Sequence, residues 1–441
     1  MVSVMGKRGL FLVWLCLVSI LPGMAQTEKL IDYVNPFVGT DGYGNVYPGA
    51  QIPFGGIQMS PDTDSKYYDA ASGYKYNHST LLGFSLTHLS GTGIPDLGDF
   101  LFIPGTGEMK LDPGTREEPE KGYRSRYSHE KEWASPNYYA VELSDYGVKA
   151  EMTSGVRSGM FRFTYPQSDK AFIMIDMNHT LWQSCEWANL RMENDSTITG
   201  YKLVKGWGPE RHIYFTATFS KKLTGLRFMQ NKKPVIYNTS RFRSSYEAWG
   251  KNLMACLSFD TKAGEEVIVK TAVSAVSTDG ARNNMKELDG LTFNELKAKG
   301  EALWEKELGK YTLTADRTKE TFYTSAYHAA LHPFIFQDSD GQFRGLDKNI
   351  EKAEGFTNYT VFSLWDTYRA LHPWFNLVQQ EVNADIANSM LAHYDKSVEK
   401  MLPVWSFYGN ETWCMIGYHA VSVLADMIVK EVKGFDYERA Y

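Results

Sequence analysis

Ser158–Tyr165, SGMFRFTY, sets Phe161, Phe163 and Tyr165 at every second position, with Arg162 and Thr164 between them. A period of two matches the pleat of a β-strand, whose side chains point alternately to opposite faces. The pattern continues on both sides of this stretch, in Tyr138–Leu143 (YYAVEL), 171–176 (AFIMID), 213–219 (IYFTATF) and 266–271 (EVIVKT). Turn clusters such as Asp145-Tyr146-Gly147 and Gln167-Ser168-Asp169 separate these runs at short intervals. Many short strands with such turns predict a β-sandwich. Residues 35–104, rich in Gly and Pro, predict mostly long loops joining strands.

Near residue 290 the period changes. Phe293, Leu296, Leu303, Trp304 and Leu308 fall at helical spacing, and Thr292 followed by Glu295 is a capping-box pattern. Further helices are expected over 319–331, 361–371, 381–393 and 418–432, with aromatic and acidic residues in the loops between them. The fold class that follows is multidomain β plus α. A size prior of about 150 residues per domain gives two or three domains.

Lys7 and Arg8, the apolar run 9–21 and the small-residue exit Gly23-Met24-Ala25 read as a secretory signal peptide over 1–25. The apolar run has 13 residues, against the roughly 20 that span a bilayer, and no later segment is long and apolar enough. A secreted or periplasmic location is expected, with no stable membrane span. Bulky Trp14 and Leu15 before Cys16 argue against a lipoprotein signal. Beyond the signal stand Cys185, Cys256 and Cys414, so at most one disulfide is expected, and no CxxC marks a zinc site. The net charge of −6 without a basic run excludes nucleic acid as the natural partner.

Two stretches pack aromatics around single carboxylates: 363–373 (SLWDTYRALHP) and 402–419 (LPVWSFYGNETWCMIGYH). Flat rings cover the C–H face of a pyranose while carboxylates and amides accept its hydroxyls, so this composition points to a sugar site. Asp366 reads either as a carboxylate at a helix start or as a sugar-hydroxyl acceptor beside Trp365, with Arg369 one turn on to keep it ionised. Glu411 reads either as a solvated loop residue or, among Trp405, Phe407, Tyr408 and Trp413, as an acid kept protonated by desolvation. His372 and His419 are expected at helix ends or in the core. In the loop 88–99 (HLSGTGIPDLGD), Asp96 and Asp99 either bind backbone amides in turns or line a cleft between domains; no lysine follows to complete a phosphate loop. Asp41, Asn45 and 62–64 (DTD) are oxygen-rich candidates for calcium, without EF-hand spacing.

Val34-Asn35-Pro36-Phe37-Val38-Gly39-Thr40, Tyr47-Pro48-Gly49-Ala50 with Pro53-Phe54-Gly55, the loop 88–99, Ala330-Leu331-His332-Pro333, 363–373 and 409–419 together resemble glycoside hydrolase family 92, the secreted exo-α-mannosidases. The resemblance runs from about residue 30 to residue 441. It implies an N-terminal β-sandwich over 26–277, joined by linker helices over 278–318 to the first part of an (α/α)6 barrel over 319–441. It also implies calcium-dependent, inverting hydrolysis of terminal α-mannosides from mannose-containing glycans. In inversion an acid protonates the leaving oxygen while a carboxylate roughly 6.5–9.5 Å away activates water. By the resemblance Trp365 and Asp366 bind the sugar, and Asn410 and Glu411 line the same pocket, with Glu411 the one catalytic candidate. The family's acid and base lie in EGNxWQY-like and GDEDxGQMSAW-like segments, and neither occurs here. The chain is therefore expected to be the N-terminal portion of a longer enzyme. A non-catalytic carbohydrate-binding protein is the alternative. Linkage preference would depend on a leaving-group subsite near Ile94, and nothing in the sequence specifies an oligomeric state.

Overall fold

The alternating segments pair into two antiparallel sheets of seven and nine strands in the computed structural model, which describes residues 28–65, 68–236, 246–314 and 316–441. The expected signal peptide lies outside the described residues. Ser158–Tyr165 sits inside the nine-stranded sheet between Val148–Ser154 and Glu265–Ser274. Its Phe161, Phe163 and Tyr165 are buried and face the other sheet, where Phe102 lies 5.2 Å from Phe161 and Phe84 lies 6.2 Å from Phe163. Arg162, on the opposite face, pairs with Glu151 at 2.7 Å and covers the Phe293 ring at 4.3 Å. One strand thus joins the sandwich core to the first turn of the helix Phe293–Leu308.

Tyr138–Leu143 forms as expected, while the other expected runs extend to Ser168–Asp176, Arg211–Phe219 and Glu265–Ser274. Within 35–104 the loops carry short strands at Ser60–Asp62, Gly83–Ser85 and Leu101–Thr106. Ser184–Asn194 and Thr197–Lys205 were not evident from the sequence; register shifts after Cys185 and Met192 interrupt the alternation.

After Ser274 come the helices Thr278–Met285 and Phe293–Leu308. The second opens on the expected capping box: Glu295 N–H donates to Thr292 Oγ1 at 3.3 Å, and Thr292 N–H donates to Glu295 Oε2 at 2.8 Å. Lys319–Ala329, Gln380–Lys396 and His419–Val429 follow close to their expected places. The helix expected over 361–371 is instead the single turn Leu364–Thr367 and a separate helix, Leu371–Val378. Pro373 explains the restart: in the first turn its missing N–H costs no helical bond, whereas deeper inside a helix it would. With Tyr437–Ala440, six helices lie beyond residue 318 among the described residues, against twelve in a closed (α/α)6 barrel. None of the described helices is long and apolar enough to cross a membrane. Cys185, Cys256 and Cys414 are free.

The sandwich and the helices share a core. Phe54, from the Pro53-Phe54-Gly55 stretch, packs edge-on against Phe375 at 5.8 Å and Tyr359 at 6.4 Å. Its N–H donates to Ala330 O, and Ile335 N–H donates back to Phe54 O. A Cβ on Gly56 would lie 2.6 Å from Ile335 O, so only glycine permits this approach. Trp304, fully buried, donates its indole N–H to Gln51 O at 2.8 Å, and Gln51 Nε2 donates to Leu331 O at 2.9 Å. Burying these polar groups in pairs fixes one orientation of the helices on the sheets.

Candidate substrate site

The two aromatic-and-acidic stretches meet. Trp405, buried, donates its indole N–H to Ser363 Oγ at 2.9 Å, and Ser363 Oγ donates to Asp366 Oδ2 at 2.5 Å. Tyr368 and His419 stack in parallel at 4.1 Å. Asp366 is exposed, Trp365 is half-buried and Trp413 is exposed. Arg369 does not pair with Asp366: its guanidinium lies 4.8 Å over the Trp365 ring and 5.0 Å from the Tyr368 ring, and it donates to Trp365 O. The arrangement offers one carboxylate oriented by a hydroxyl at the edge of a group of rings.

Glu411 behaves differently from its sequence expectation. Burial does push its carboxyl upward, but the His393 side chain and the Trp413 and Trp405 backbone amides outweigh burial, so it sits below the ordinary value of 4.5. Glu411 Oε1 accepts from Trp405 N–H and Trp413 N–H, and Oε2 accepts from Val404 N–H, all at 2.9 Å, with His393 Nε2 at 3.4 Å from Oε2. Hydrogen bonds to the ionised form, absent from any reading of local composition, reverse the effect of the aromatic neighbours. Glu411 therefore closes the 404–413 loop as a carboxylate, not as a protonated acid. Replacing it with Gln is expected to lower unfolding free energy by about 1–3 kcal/mol at neutral pH, because an amide nitrogen cannot accept one of these bonds. A folded-state value below the unfolded one contributes stability that is full above about 4.5 and lost as pH falls through the lower folded value. Chemical denaturation of both proteins between neutral pH and about pH 3 should show the wild-type advantage shrinking with acid.

Asn410 is buried and also turned inward. Its Nδ2 donates to Glu210 O at 2.9 Å and Tyr408 O at 3.0 Å, and its Oδ1 accepts from Lys348 Nζ at 2.6 Å. Burial pushes the Lys348 ammonium down to about 8.

Asn410 also marks where the sandwich reaches the site. The hairpin between Thr197–Lys205 and Arg211–Phe219 places Trp207 4.1 Å from Trp405 and 5.5 Å from Phe407. Beneath it lies a buried ionic cluster. Asp99 takes Lys202 Nζ at 2.9 Å, Thr87 Oγ1 at 2.7 Å and Arg211 Nη1, and Arg211 reaches Asp96 at 3.4 Å and lies 5.5 Å over the Tyr408 ring. Asp96 accepts backbone amides as expected, from Leu97 at 2.6 Å and Trp207 at 3.1 Å. Asp99 instead holds two cations: burial raises its carboxyl, but Arg211 and then Lys202 more than reverse that, leaving it far below the carboxylate range. The loop 88–99 thus communicates with the helical part through Trp207 and Arg211. His372 is buried and hydrogen-bonded to Asn383 at 2.8 Å, a core histidine.

No calcium cage forms from the oxygen-rich candidates. Asp62 is enclosed by His88 at 2.8 Å, His179 at 2.7 Å and Ser85 Oγ at 2.7 Å. Asp41 accepts from Gly42 N–H, and Asp64 accepts from Ser65 N–H and pairs with Arg116 at 3.5 Å. Among the described residues no group of three or more His, Cys, Asp or Glu is placed to hold a metal ion. The donor set present does not fit calcium, which takes six to eight oxygens.

The sequence matches the glycosyl hydrolase family 92 N-terminal domain over residues 33–274 and that family's catalytic domain over residues 280–441. The chain belongs to glycosyl hydrolase family 92. The catalytic-domain match begins inside the helix Thr278–Met285 and takes in Phe293–Leu308. A family GH92 α-mannosidase from Bacteroides thetaiotaomicron, solved in complex with mannoimidazole, is 94% identical and superimposes with a TM-score of 0.93, covering 94% of this chain and 55% of that one. A family GH92 inverting mannosidase from the same species is 25% identical, with a TM-score of 0.81, over 94% of this chain and 55% of that one. An uncharacterized secreted glycosidase of Arthroderma benhamiae is 25% identical over 346 residues, 72% of this chain and 43% of that protein. This family 92 chain thus spans about half the length of the relatives it matches. Trp207 and Arg211 are the site-building residues that sequence reading passed over; the signal for Trp207 was a tryptophan held between Gly206 and Gly208 in a turn.

Proposed function

We propose that the joined stretches 363–373 and 402–419 are the substrate-holding part of an inverting, calcium-dependent exo-α-mannosidase that releases terminal mannose from glycans. The observation that carries this reading is the Trp405–Ser363–Asp366 chain of hydrogen bonds, which presents an exposed carboxylate beside Trp365. Asp366 accepts mannose hydroxyls, and the Trp365 face not covered by Arg369 packs on the sugar's C–H groups. The high identity to a mannosidase solved with mannoimidazole supports the substrate class, and the more distant inverting mannosidase supports the stereochemistry. Glu411, ionised and bonded to the backbone, is not the acid in this reading. In this reading neither the proton donor nor the water-activating base is assigned to a residue of 1–441, which lacks the family's two acid/base segments. Export is part of the proposal, supported by the N-terminal signal pattern and by the fungal relative's description as secreted.

The donors described in this chain do not fit calcium, so the proposal places no calcium ligand among them. A ligand that binds only the folded chain raises its melting temperature. Adding calcium, or a chelator, is accordingly expected to move the melting temperature of the 441-residue chain by less than about 1 °C. The activity test compares mannose release from an aryl α-mannoside by this chain alone with release by the chain fused to the residues that follow the matched region in the 94%-identical relative. The fusion should turn over with chelator sensitivity and release β-mannose first, and the chain alone should not. Chelator-sensitive turnover by the chain alone would overturn the assignment of the acid/base pair.

A further inference from the structure

The outer face of the nine-stranded sheet carries a second group of rings. Cross-strand register aligns Trp249, Asn189, Tyr201 and Tyr214 in one row across four adjacent strands, and Trp187, Leu203 and His212 in the next. Their strand neighbours Ala188, Ala248, Ile213 and Phe215 are buried, so these side chains point away from the sandwich core. Trp187 and Trp249 are 50% and 53% exposed. Tyr201 and Tyr214 lie 4.6 Å apart, and the Tyr201 hydroxyl bonds His212 Nδ1 at 2.9 Å.

Two ion pairs around these rows close on themselves, Lys251 with Glu186 at 2.8 Å and Arg191 with Glu193 at 3.5 Å; Arg344 is turned onto the Ala275 and Val276 carbonyls, and His212, held below its ordinary value by burial, bonds Glu210 at 2.7 Å. Such a rim offers little net field to an anionic lipid or a nucleic acid. Separated rings with an amide and hydroxyls among them complement an uncharged ligand that has C–H faces and many hydroxyls. The face is also continuous with the candidate site. From Tyr201 the strand runs four residues to Lys205, roughly 13 Å at the rise of a strand, the turn beyond it carries Trp207, and Glu210, which pairs with His212, accepts from Asn410 Nδ2 through its backbone oxygen.

We propose that this sheet face is a second glycan-binding surface, taking a neutral α-mannan chain across Trp187 and Trp249 and keeping its free end near the site at Trp365. The proposal rests on the reading of the chain as part of an exo-α-mannosidase acting on mannose-containing glycans. Affinity electrophoresis of the 441-residue chain in native gels containing soluble α-mannan tests it, with dextran as the control polymer. The parent should be retarded by mannan. Trp187→Ala/Trp249→Ala should weaken retardation about tenfold, as loss of ring stacking implies. Trp187→Phe/Trp249→Phe should keep most of it, both double variants should melt with the parent, and Asp366→Ala should still be retarded. No retardation of the parent, or unchanged retardation of the double-alanine variant, overturns the proposal. Loss on Asp366→Ala alone also overturns it, placing the glycan at the candidate site and leaving the mannosidase reading intact. That reading fails separately if the fused enzyme releases no mannose.

Discussion

Asp99→Ala is expected to cost about 3–5 kcal/mol of stability, the range for removing one partner of a buried ion pair. Asp99 is fully buried and neutralises two buried cations, Lys202 and Arg211. Alanine would leave both charges in a low-dielectric interior, with Asp96 the remaining carboxylate within reach of Arg211. Burial raises the Asp96 carboxyl, with Arg211 opposing that effect, so it is a poor substitute. The loss extends to the site, because Arg211 lies over Tyr408 and the adjoining turn holds Trp207 on Trp405. Urea denaturation measures the effect; a loss under about 1 kcal/mol, the scale of an exposed pair, would show that the cluster does not hold the loop 88–99 to the strands. The sign with pH is fixed as well. A carboxyl held below its unfolded value contributes stability above that unfolded value and loses it as pH falls, so wild type should lose more than Asp99→Asn on acidification.

Asp366→Ala has the second large effect, on activity. In the fused enzyme it should lower kcat/KM for an aryl α-mannoside by about 10- to 150-fold, the equivalent of one or two charge-assisted hydrogen bonds to sugar hydroxyls. Stability should change little, since Asp366 is exposed and its bond is to the neighbouring Ser363. Asp366→Asn keeps an acceptor without the charge and should fall between alanine and wild type. Full activity in the alanine variant would remove Asp366 from the substrate site.

What was legible in the sequence was local. The alternation in Ser158–Tyr165 and the Thr292–Glu295 capping box depend on neighbours a few residues apart, and both formed where they were read. Ser184–Asn194 was hidden by register shifts that break its period, and the helix over 361–371 was divided at Ala370 because Pro373 suits a first turn. Glu411 shows the limit for site chemistry. Its aromatic surroundings were visible in the sequence, but backbone amides 2 to 7 residues away decide its ionisation, and their direction depends on the folded loop. Trp207 and Arg211 contact the 402–419 stretch from about 200 residues away in sequence, and only the docking of sheet on helices brings them together.

The proposed site sets the sugar against Asp366 and Trp365. A crystal structure of the fused enzyme with mannoimidazole tests this most directly: the ligand's hydroxyls should lie within about 3 Å of the Asp366 carboxylate, with its C–H face over Trp365. A ligand bound with no polar contact to Asp366 and no ring contact to Trp365 would contradict it.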